Sequence, residues 1–191
     1  VGSTCSFIGG GYSNCITGGS SGNAAGGFIG GGSCNLINTT TTGIANTIVG
    51  GQCNCICSTI SPYNYIGGGS GNFINVLSAC CGNVIVGGIS NTSSGVFSGI
   101  LGGLNNNIDL HNSSFIIGTN LTSDANFTTY VNNINISGSI THNANNVPDG
   151  FIILTHVSQS LNFADDTAAA AGGVPLGGLY RSGNVISIRI E

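Results

Sequence analysis

Charge is what this chain lacks first. No Asp, Glu, Lys or Arg occurs before Asp109, and charged residues make up only 4% of the whole. An ordinary domain is about one quarter charged. A stretch this long without charge excludes both a solvated helical surface and a disordered polyelectrolyte. Lys is absent and the only Arg are Arg181 and Arg189, so with a net charge of -4 there is no basic face for a nucleic-acid backbone. Met and Trp are missing, and Glu and Gln are nearly so, which leaves few helix formers. Ile, Val, Thr, Phe and Tyr favour strands. Long apolar runs are missing too. Runs such as Phe151-Ile152-Ile153-Leu154 suit a strand and are too short to cross a bilayer. Nothing resembles a signal peptide, and the first residue is Val1, so the chain reads as processed or as a piece of a longer protein. What is abundant is Gly, with 34 residues, together with Asn. Stacked backbone hydrogen bonds and side-chain amides can do the work that ion pairs usually do.

Self-similarity sets the fold class. Phe7-Ile8-Gly9-Gly10-Gly11 leads to Asn14 and Ile16, and Phe28-Ile29-Gly30-Gly31-Gly32 leads to Asn35 and Ile37. The pattern returns at Ile48-Val49-Gly50-Gly51, Tyr65-Ile66-Gly67-Gly68-Gly69, Ile85-Val86-Gly87-Gly88 and Ile100-Leu101-Gly102-Gly103, with a degraded copy at Ile116-Ile117-Gly118. The accompanying Asn14, Asn35, Asn54, Asn72, Asn91 and Asn106 step by 21, 19, 18, 19 and 15 residues. A period near 20 without helix formers predicts one β-solenoid coil per repeat, with two short strands in each. Successive coils then stack about 4.8 Å apart through parallel ladders. Equivalent residues form columns. Ile8, Ile29, Val49, Ile66, Val86, Leu101 and Ile117 are expected as an inward apolar column, and Ile16, Ile37, Ile56, Ile74 and Ile108 as a second. The six Asn are expected as an amide ladder at a turn. Gly-rich corners permit positive φ and close approach of another backbone. One such coil encloses only a thin core. Three copies packed about an axis would bury the Gly and Ile faces against each other, which predicts a homotrimer.

Over roughly residues 5–122 this repeat resembles the left-handed β-roll of trimeric autotransporter adhesin heads, whose coils carry an apolar-Ile-Gly motif. It is still more similar to the Gly-Gly-Gly-x-x-Asn repeats of bacteriophage and other viral tail-fibre proteins. No neck motif or coiled-coil stalk follows the repeats here, which ranks the viral fibre first. The resemblance implies an all-β, trimeric, left-handed solenoid shaft over 1–122, a capping segment over 123–147 and a small β-rich tip or trimer-locking domain over 148–191. Phe115 to Ile136 is similar to the segment that closes β-roll fibres, and Ala164 to Ile190 resembles a C-terminal ending of viral structural proteins.

Local signals fill in the last third. Strand-like alternation runs through Ile134-Asn135-Ile136-Ser137-Gly138-Ser139-Ile140, and Phe151 to Val157 reads as a strand after the Pro148-Asp149-Gly150 turn. Asp165 with the Ala run to Ala171, then Gly172-Gly173 and Pro175, is a short helix with its start and stop. Ser182-Gly183-Asn184 between two apolar runs is a hairpin signature.

Catalytic chemistry is hard to place. The solenoid carries no paired carboxylates of the kind that cleave glycans, and Asp165-Asp166 reads as a helix cap. The Gly-rich corners lack a following Gly-Lys-Ser/Thr, so they are corners rather than phosphate loops. No enzyme activity, cofactor or metal is expected. Most of the eight Cys read as small buried hydrophobes. Cys34 and Cys53 fall in one column on adjacent coils, where they are placed to bridge, and Cys80-Cys81 could link neighbouring chains. The sulfurs of Cys53, Cys55 and Cys57 are expected on one face about 6–7 Å apart, too wide for one strand to chelate zinc. His111, His142 and His156 are isolated, and on a threefold axis one His would become three. Asn-x-Ser/Thr sequons occur at Asn38, Asn91, Asn112, Asn120, Asn126 and Asn135, several of them expected by chance in so polar a chain.

The expected function is therefore a structural fibre of a virion, located on its surface and so extracellular. It would be the distal part of a tail fibre, joined to other tail or fibre proteins upstream and binding a host-surface glycan or protein. Neither nucleic-acid binding nor membrane insertion is expected. Contacts to the receptor are expected near Tyr130, His142 and Tyr180. The alternatives are a cellular adhesin or extracellular filament and, ranked lower, an ice-binding face or a glycan depolymerase.

Overall fold

The computed structural model describes residues 5–18, 26–39, 45–58, 63–76, 82–134, 161–183 and 185–190. The chain divides into two compact units, Val1–Asn135 and Ile136–Glu191.

The first unit is a parallel β-solenoid of roughly 19 residues per turn. Its strands are β1 (Phe7–Ile8), β2 (Cys15–Gly18), β3 (Phe28–Ile29), β4 (Leu36–Thr39), β5 (Thr47–Ile48), β6 (Cys55–Ser58), β7 (Tyr65–Ile66), β8 (Phe73–Val76), β9 (Val84–Ile85), β10 (Thr92–Ser93), β11 (Gly99–Ile100), β12 (Asn107–Ile108), β13 (Phe115–Ile117) and β14 (Thr129–Val131). They sort into two parallel sheets. One has eight strands in the order β1-β3-β5-β7-β9-β11-β13-β14, and the other six in the order β12-β10-β8-β6-β4-β2. A third rail of single parallel bridges joins Tyr12, Ser33, Gln52, Ser70, Ile89 and Leu104 from coil to coil.

Each coil is a thin slab whose interior is Ile. In the eight-stranded sheet the register aligns Ile8, Ile29, Ile48, Ile66, Ile85, Ile100, Ile116 and finally Tyr130. In the six-stranded sheet it aligns Ile16, Ile37, Ile56, Ile74, Ser93 and Ile108. Ile29 through Ile116 of the first column, and Ile37 through Ile74 with Ile108 of the second, are 0–1% exposed. Burying a side chain of this size stabilises by about 1.5–3 kcal/mol. The β-branched Ile also keeps a stiff rotamer on a pleated surface.

This register corrects the expected core column. Ile29 and Ile66 belong to it, and Ile8 points the same way on the first described coil, where it remains 42% exposed. Val49, Val86, Leu101 and Ile117 do not. They sit one residue further on and are 45–54% exposed. A one-residue shift moves a side chain to the opposite face of a strand. The inward positions on those coils are Ile48, Ile85, Ile100 and Ile116. The repeat is therefore x-Ile-y-Gly-like, with y either Gly or an aliphatic residue.

Parallel pairing does not stop at the last Gly block. β14 pairs with β13, and Tyr130 packs against the Ile core at that end. Its hydroxyl donates to Asp124 Oδ1 at 2.7 Å and accepts from the backbone N–H groups of Asp124 and Ala125 at 2.9 and 2.8 Å. A ring thus closes the apolar column, and its polar tip is satisfied locally.

One buried position breaks the apolar rule. Ser93 takes the place of an Ile between Ile74 and Ile108, fully buried, and its hydroxyl has no hydrogen-bond partner. An unpaired buried hydroxyl costs about 1–3 kcal/mol. Ser93→Ala is expected to raise the midpoint of chemical denaturation, by the equivalent of about 1 kcal/mol. An unchanged or lower midpoint would show that the hydroxyl is not a burden.

The second unit has its own small core. The helix α1 (Asp166–Ala171) begins at Asp165, whose carboxylate accepts from the backbone N–H of Ala168 at 2.8 Å. The strands β15 (Leu179–Ser182) and β16 (Val185–Ile188) form an antiparallel hairpin. Ala169, Val174 and Tyr180 are buried together, with Leu161 and Phe163 against them. The strand expected over Phe151 to Val157 lies outside the described residues, as does all but the first residue of the one expected from Ile134 to Ile140.

Candidate interaction surface

Two amide ladders fix the corners of the coil and so set what its outside presents. In the first, the backbone N–H of Asn35 donates to Asn14 Oδ1 at 3.0 Å, and Asn54, Asn72, Asn91 and Asn106 each repeat the step onto the preceding Asn at 3.0–3.1 Å. The side-chain amides also donate to the preceding Oδ1, for example Asn72 Nδ2 to Asn54 Oδ1 at 3.1 Å. Asn72 Nδ2 lies 2.9 Å from the carbonyls of both Gly68 and Gly88, one on its own coil and one on the next. Asn35, Asn54, Asn72, Asn91 and Asn106 are 0–1% exposed, so every polar atom must find an internal partner. The sequon at Asn91 is closed by this burial.

A second ladder runs along the opposite corner. The N–H of Asn64 donates to Asn46 Oδ1, that of Asn83 to Asn64 Oδ1, that of Ser98 to Asn83 Oδ1 and that of Ser114 to Ser98 Oγ. The sequence reading missed it. Its signal was present, because Asn46-Thr47-Ile48, Asn64-Tyr65-Ile66 and Asn83-Val84-Ile85 carry the same Asn-x-Ile triplet as Asn35-Leu36-Ile37. The coils of Asn46 and Asn64 use that triplet twice, again at Asn54-Cys55-Ile56 and Asn72-Phe73-Ile74, whereas the coil of Asn83 has Asn91-Thr92-Ser93 at the second strand. The residue before the amide is often left-handed, with φ of 53–65° at Ser13, Cys34, Cys53, Tyr63, Gly71, Ser90 and Asn105.

The outer face of the eight-stranded sheet is largely apolar. Phe7, Phe28, Thr47, Tyr65, Val84, Gly99 and Phe115 form one outward column. Two residues on, Gly9, Gly30, Val49, Gly67, Val86, Leu101 and Ile117 form the next. The pairs compensate in size. Phe7 stands with Gly9, Phe28 with Gly30 and Tyr65 with Gly67, whereas Thr47 stands with Val49, Val84 with Val86 and Gly99 with Leu101. Each aromatic ring lies beside its glycine, where a Cβ would run into the backbone carbonyl of the next coil (Gly30, Val49 or Val86) and lie 3.2–3.4 Å from the ring edge of Phe7, Phe28 or Tyr65. Only Phe115 with Ile117 is large at both positions. The rings of Phe7 and Phe28 stack at 5.3 Å. Phe7, Phe28, Tyr65, Val84 and Phe115 are 38–55% exposed. A contiguous apolar patch of this kind makes the face a candidate interaction surface.

The other expected site residues are placed as follows. Tyr180 is buried, and its hydroxyl donates to Asp166 Oδ1 at 2.6 Å. That hydrogen bond, with burial second, raises its pKa above the usual tyrosine value. It is a core residue of the second unit rather than a surface contact, because a buried phenol needs an internal acceptor. Tyr130 is half-buried at the end of the Ile column, and His142 lies outside the described residues. His111 is half-buried with Nδ1 2.8 Å from Ser123 Oγ, whereas His156, Cys80 and Cys81 also lie outside the described residues. Cys34 and Cys53 are free, exposed thiols, and so are Cys5 and Cys15. The described cysteines are therefore not buried fillers, since they occupy corners or outward strand positions. Cys55 Sγ and Cys57 Sγ lie 2.7 Å apart, far closer than the strand repeat alone suggests, because the two side chains lean toward one another. Among the described residues no group of three or more His, Cys, Asp or Glu is placed to hold a metal ion. Comparison with protein-family models, curated proteins and solved structures finds no match to this chain.

Proposed function

We propose that the chain is the shaft and terminal unit of a non-enzymatic, homotrimeric fibre of a virion, the distal part of a tail fibre that attaches to a host surface. The observation that carries this reading is the exposed, largely apolar face of the eight-stranded sheet, from Phe7 to Phe115 and from Val49 to Ile117. A thin coil with half of its large apolar side chains outside gains most by covering them with identical faces. Copies of one chain around an axis do this in register, since every coil presents the same rail. The uncharged surface between Cys5 and Ile108 leaves no like-charge repulsion to oppose that packing. Stacked coils supply length and stiffness, and three identical weak sites for a surface glycan would gain avidity.

Leu101→Asp tests the face without touching the core, since Leu101 is 54% exposed in the single chain. Around an axis it brings three carboxylates together on an apolar surface. Charge repulsion of this kind costs several kcal/mol. The variant is expected to keep its β-sheet circular dichroism and to lose at least ~100-fold in self-association. Retention of the full assembly would remove this face from the interface.

The virion assignment is tested by labelling. Antibodies against the solenoid are expected to decorate tail fibres of purified particles in electron micrographs. Decoration of cell surfaces or free filaments, with bare particles, would favour the adhesin or extracellular filament instead.

A further inference from the structure

We propose that Cys55 and Cys57 form a redox-labile dithiol that closes to a disulfide within strand β6, on the outer face of the six-stranded sheet. The two alternate with Ile56 and Ser58, which are buried, so both sulfurs face outward. Their Sγ atoms are 2.7 Å apart, inside the ordinary contact distance of two non-bonded sulfurs and not far above the ~2.05 Å of a disulfide bond. The register isolates the pair. Leu36 and Phe73 flank Cys55, and Asn38 and Asn75 flank Cys57, so none of these neighbours is a His, Cys or carboxylate that could complete a metal site. Cys53, the nearest other cysteine in sequence, sits on the corner with φ 54° rather than on this strand.

Backbone geometry makes the closed form labile. Residues two apart on a strand have Cα atoms about 6.4–6.8 Å apart. Disulfides most often span about 5.5–6 Å, at the short side of that distance. Closing the bridge therefore pulls β6 toward the short limit of its repeat while β4 and β8 hold it by parallel pairing on either side. A strained disulfide is more easily reduced than an ordinary structural one.

The oxidant we name is a small-molecule disulfide such as oxidised glutathione. Burial first, and then the hydrogen bond to Cys57, push the Cys55 thiol up, so Cys55 keeps its proton and Cys57 attacks. The Cys57 thiolate, its proton lost to solvent, bonds to one sulfur of the reagent. The reagent's S–S bond breaks, and one glutathione leaves as a thiolate and is protonated. Cys55 then yields its proton and attacks the Cys57 sulfur, releasing the second glutathione. Two protein thiols are oxidised to one disulfide, and one glutathione disulfide is reduced to two thiols.

The test uses the full chain carrying Cys53→Ser, equilibrated in glutathione buffers, quenched in acid, alkylated and cleaved with chymotrypsin. In oxidising buffer the peptide containing β6 is expected to take up no alkyl group and to be two hydrogens lighter. It regains both alkylatable thiols under mild reductant. Adding Cys55→Ser is expected to trap a glutathione adduct on Cys57. Adding Cys57→Ser is expected to slow adduct formation at Cys55 by ~10-fold or more. Both changes suit the strand, because Thr92 and Thr17 occupy the same two columns on other coils. Two persistently alkylated thiols in oxidising buffer would overturn the proposal. So would bridging to another chain, or adducts that accumulate as readily in the Cys53→Ser parent as in the variants built on it.

Discussion

Asn72→Asp is expected to unfold the solenoid or bring it to the edge of unfolding at neutral pH. The substitution keeps the shape of the side chain and removes every proton it donates. Asn72 Nδ2 now serves Asn54 Oδ1, Gly68 O and Gly88 O at 2.9–3.1 Å, all of them acceptors. A carboxylate there would face three oxygens in a site that is 0% exposed. Leaving a charge buried without a partner costs about 3–5 kcal/mol. That is a large part of the 5–15 kcal/mol that holds an ordinary domain together. The penalty has a pH signature. The introduced carboxyl has a folded pKa raised above its unfolded value of about 3.9. The folded state then binds the proton more tightly, so the loss is least below about pH 4 and grows as pH rises through the folded value. Asn105→Asp is the control, since Asn105 is exposed on the same coil as Asn106. It is expected to stay within about 0.5 kcal/mol of the parent. Denaturant midpoints from pH 3 to pH 8 check both, and equal small effects would mean that the ladder amides carry no special burden.

Two adjacent glycines should differ as sharply. Gly51 has φ +90°, and a Cβ built on it would run into the carbonyl of Gly69 on the next coil and lie 2.7 Å from Asn54 Nδ2. Neither neighbour can retreat. The Gly69 carbonyl accepts from Gln52 N at 2.9 Å and from Asn54 Nδ2 at 3.0 Å. Gly50 has an ordinary φ, and the nearest atom to its Cβ would be Gly31 O at 3.8 Å. Gly51→Ala is expected to destabilise by about 4 kcal/mol or more, combining a backbone clash with an unfavourable φ. Gly50→Ala is expected to be neutral or stabilising by up to about 1 kcal/mol, because it restricts the unfolded chain. Thermal melts of the two variants check this. Similar losses at both positions would mean that the coils are not stacked as closely as these distances require.

These contrasts show which parts of the fold the sequence carried openly. Asn14 to Asn106 were legible because an internal amide has few tolerable replacements, and its spacing counts residues per coil. The Ile column was harder. Aligning the copies on the last apolar residue before the glycines put Val49, Val86, Leu101 and Ile117 inside, one position off, because the outward site holds Gly on some coils and an aliphatic residue on others. The size pairing of Phe7 with Gly9 and Gly99 with Leu101 would have revealed that site as a surface under its own constraint. Tyr180 looked like a polar recognition residue, yet a hydroxyl with Asp166 as its acceptor belongs in a core. The closeness of Cys55 and Cys57 depends on side-chain rotamers, which a residue spacing does not encode.

Whether the outer face of the eight-stranded sheet is covered by sister chains is decided most directly by the native mass of the full protein at micromolar concentration. The account predicts a single species of three times 18.9 kDa that persists in mild detergent. A stable species of one chain, folded and unassociated with Phe28, Tyr65 and Phe115 left in water, would contradict it.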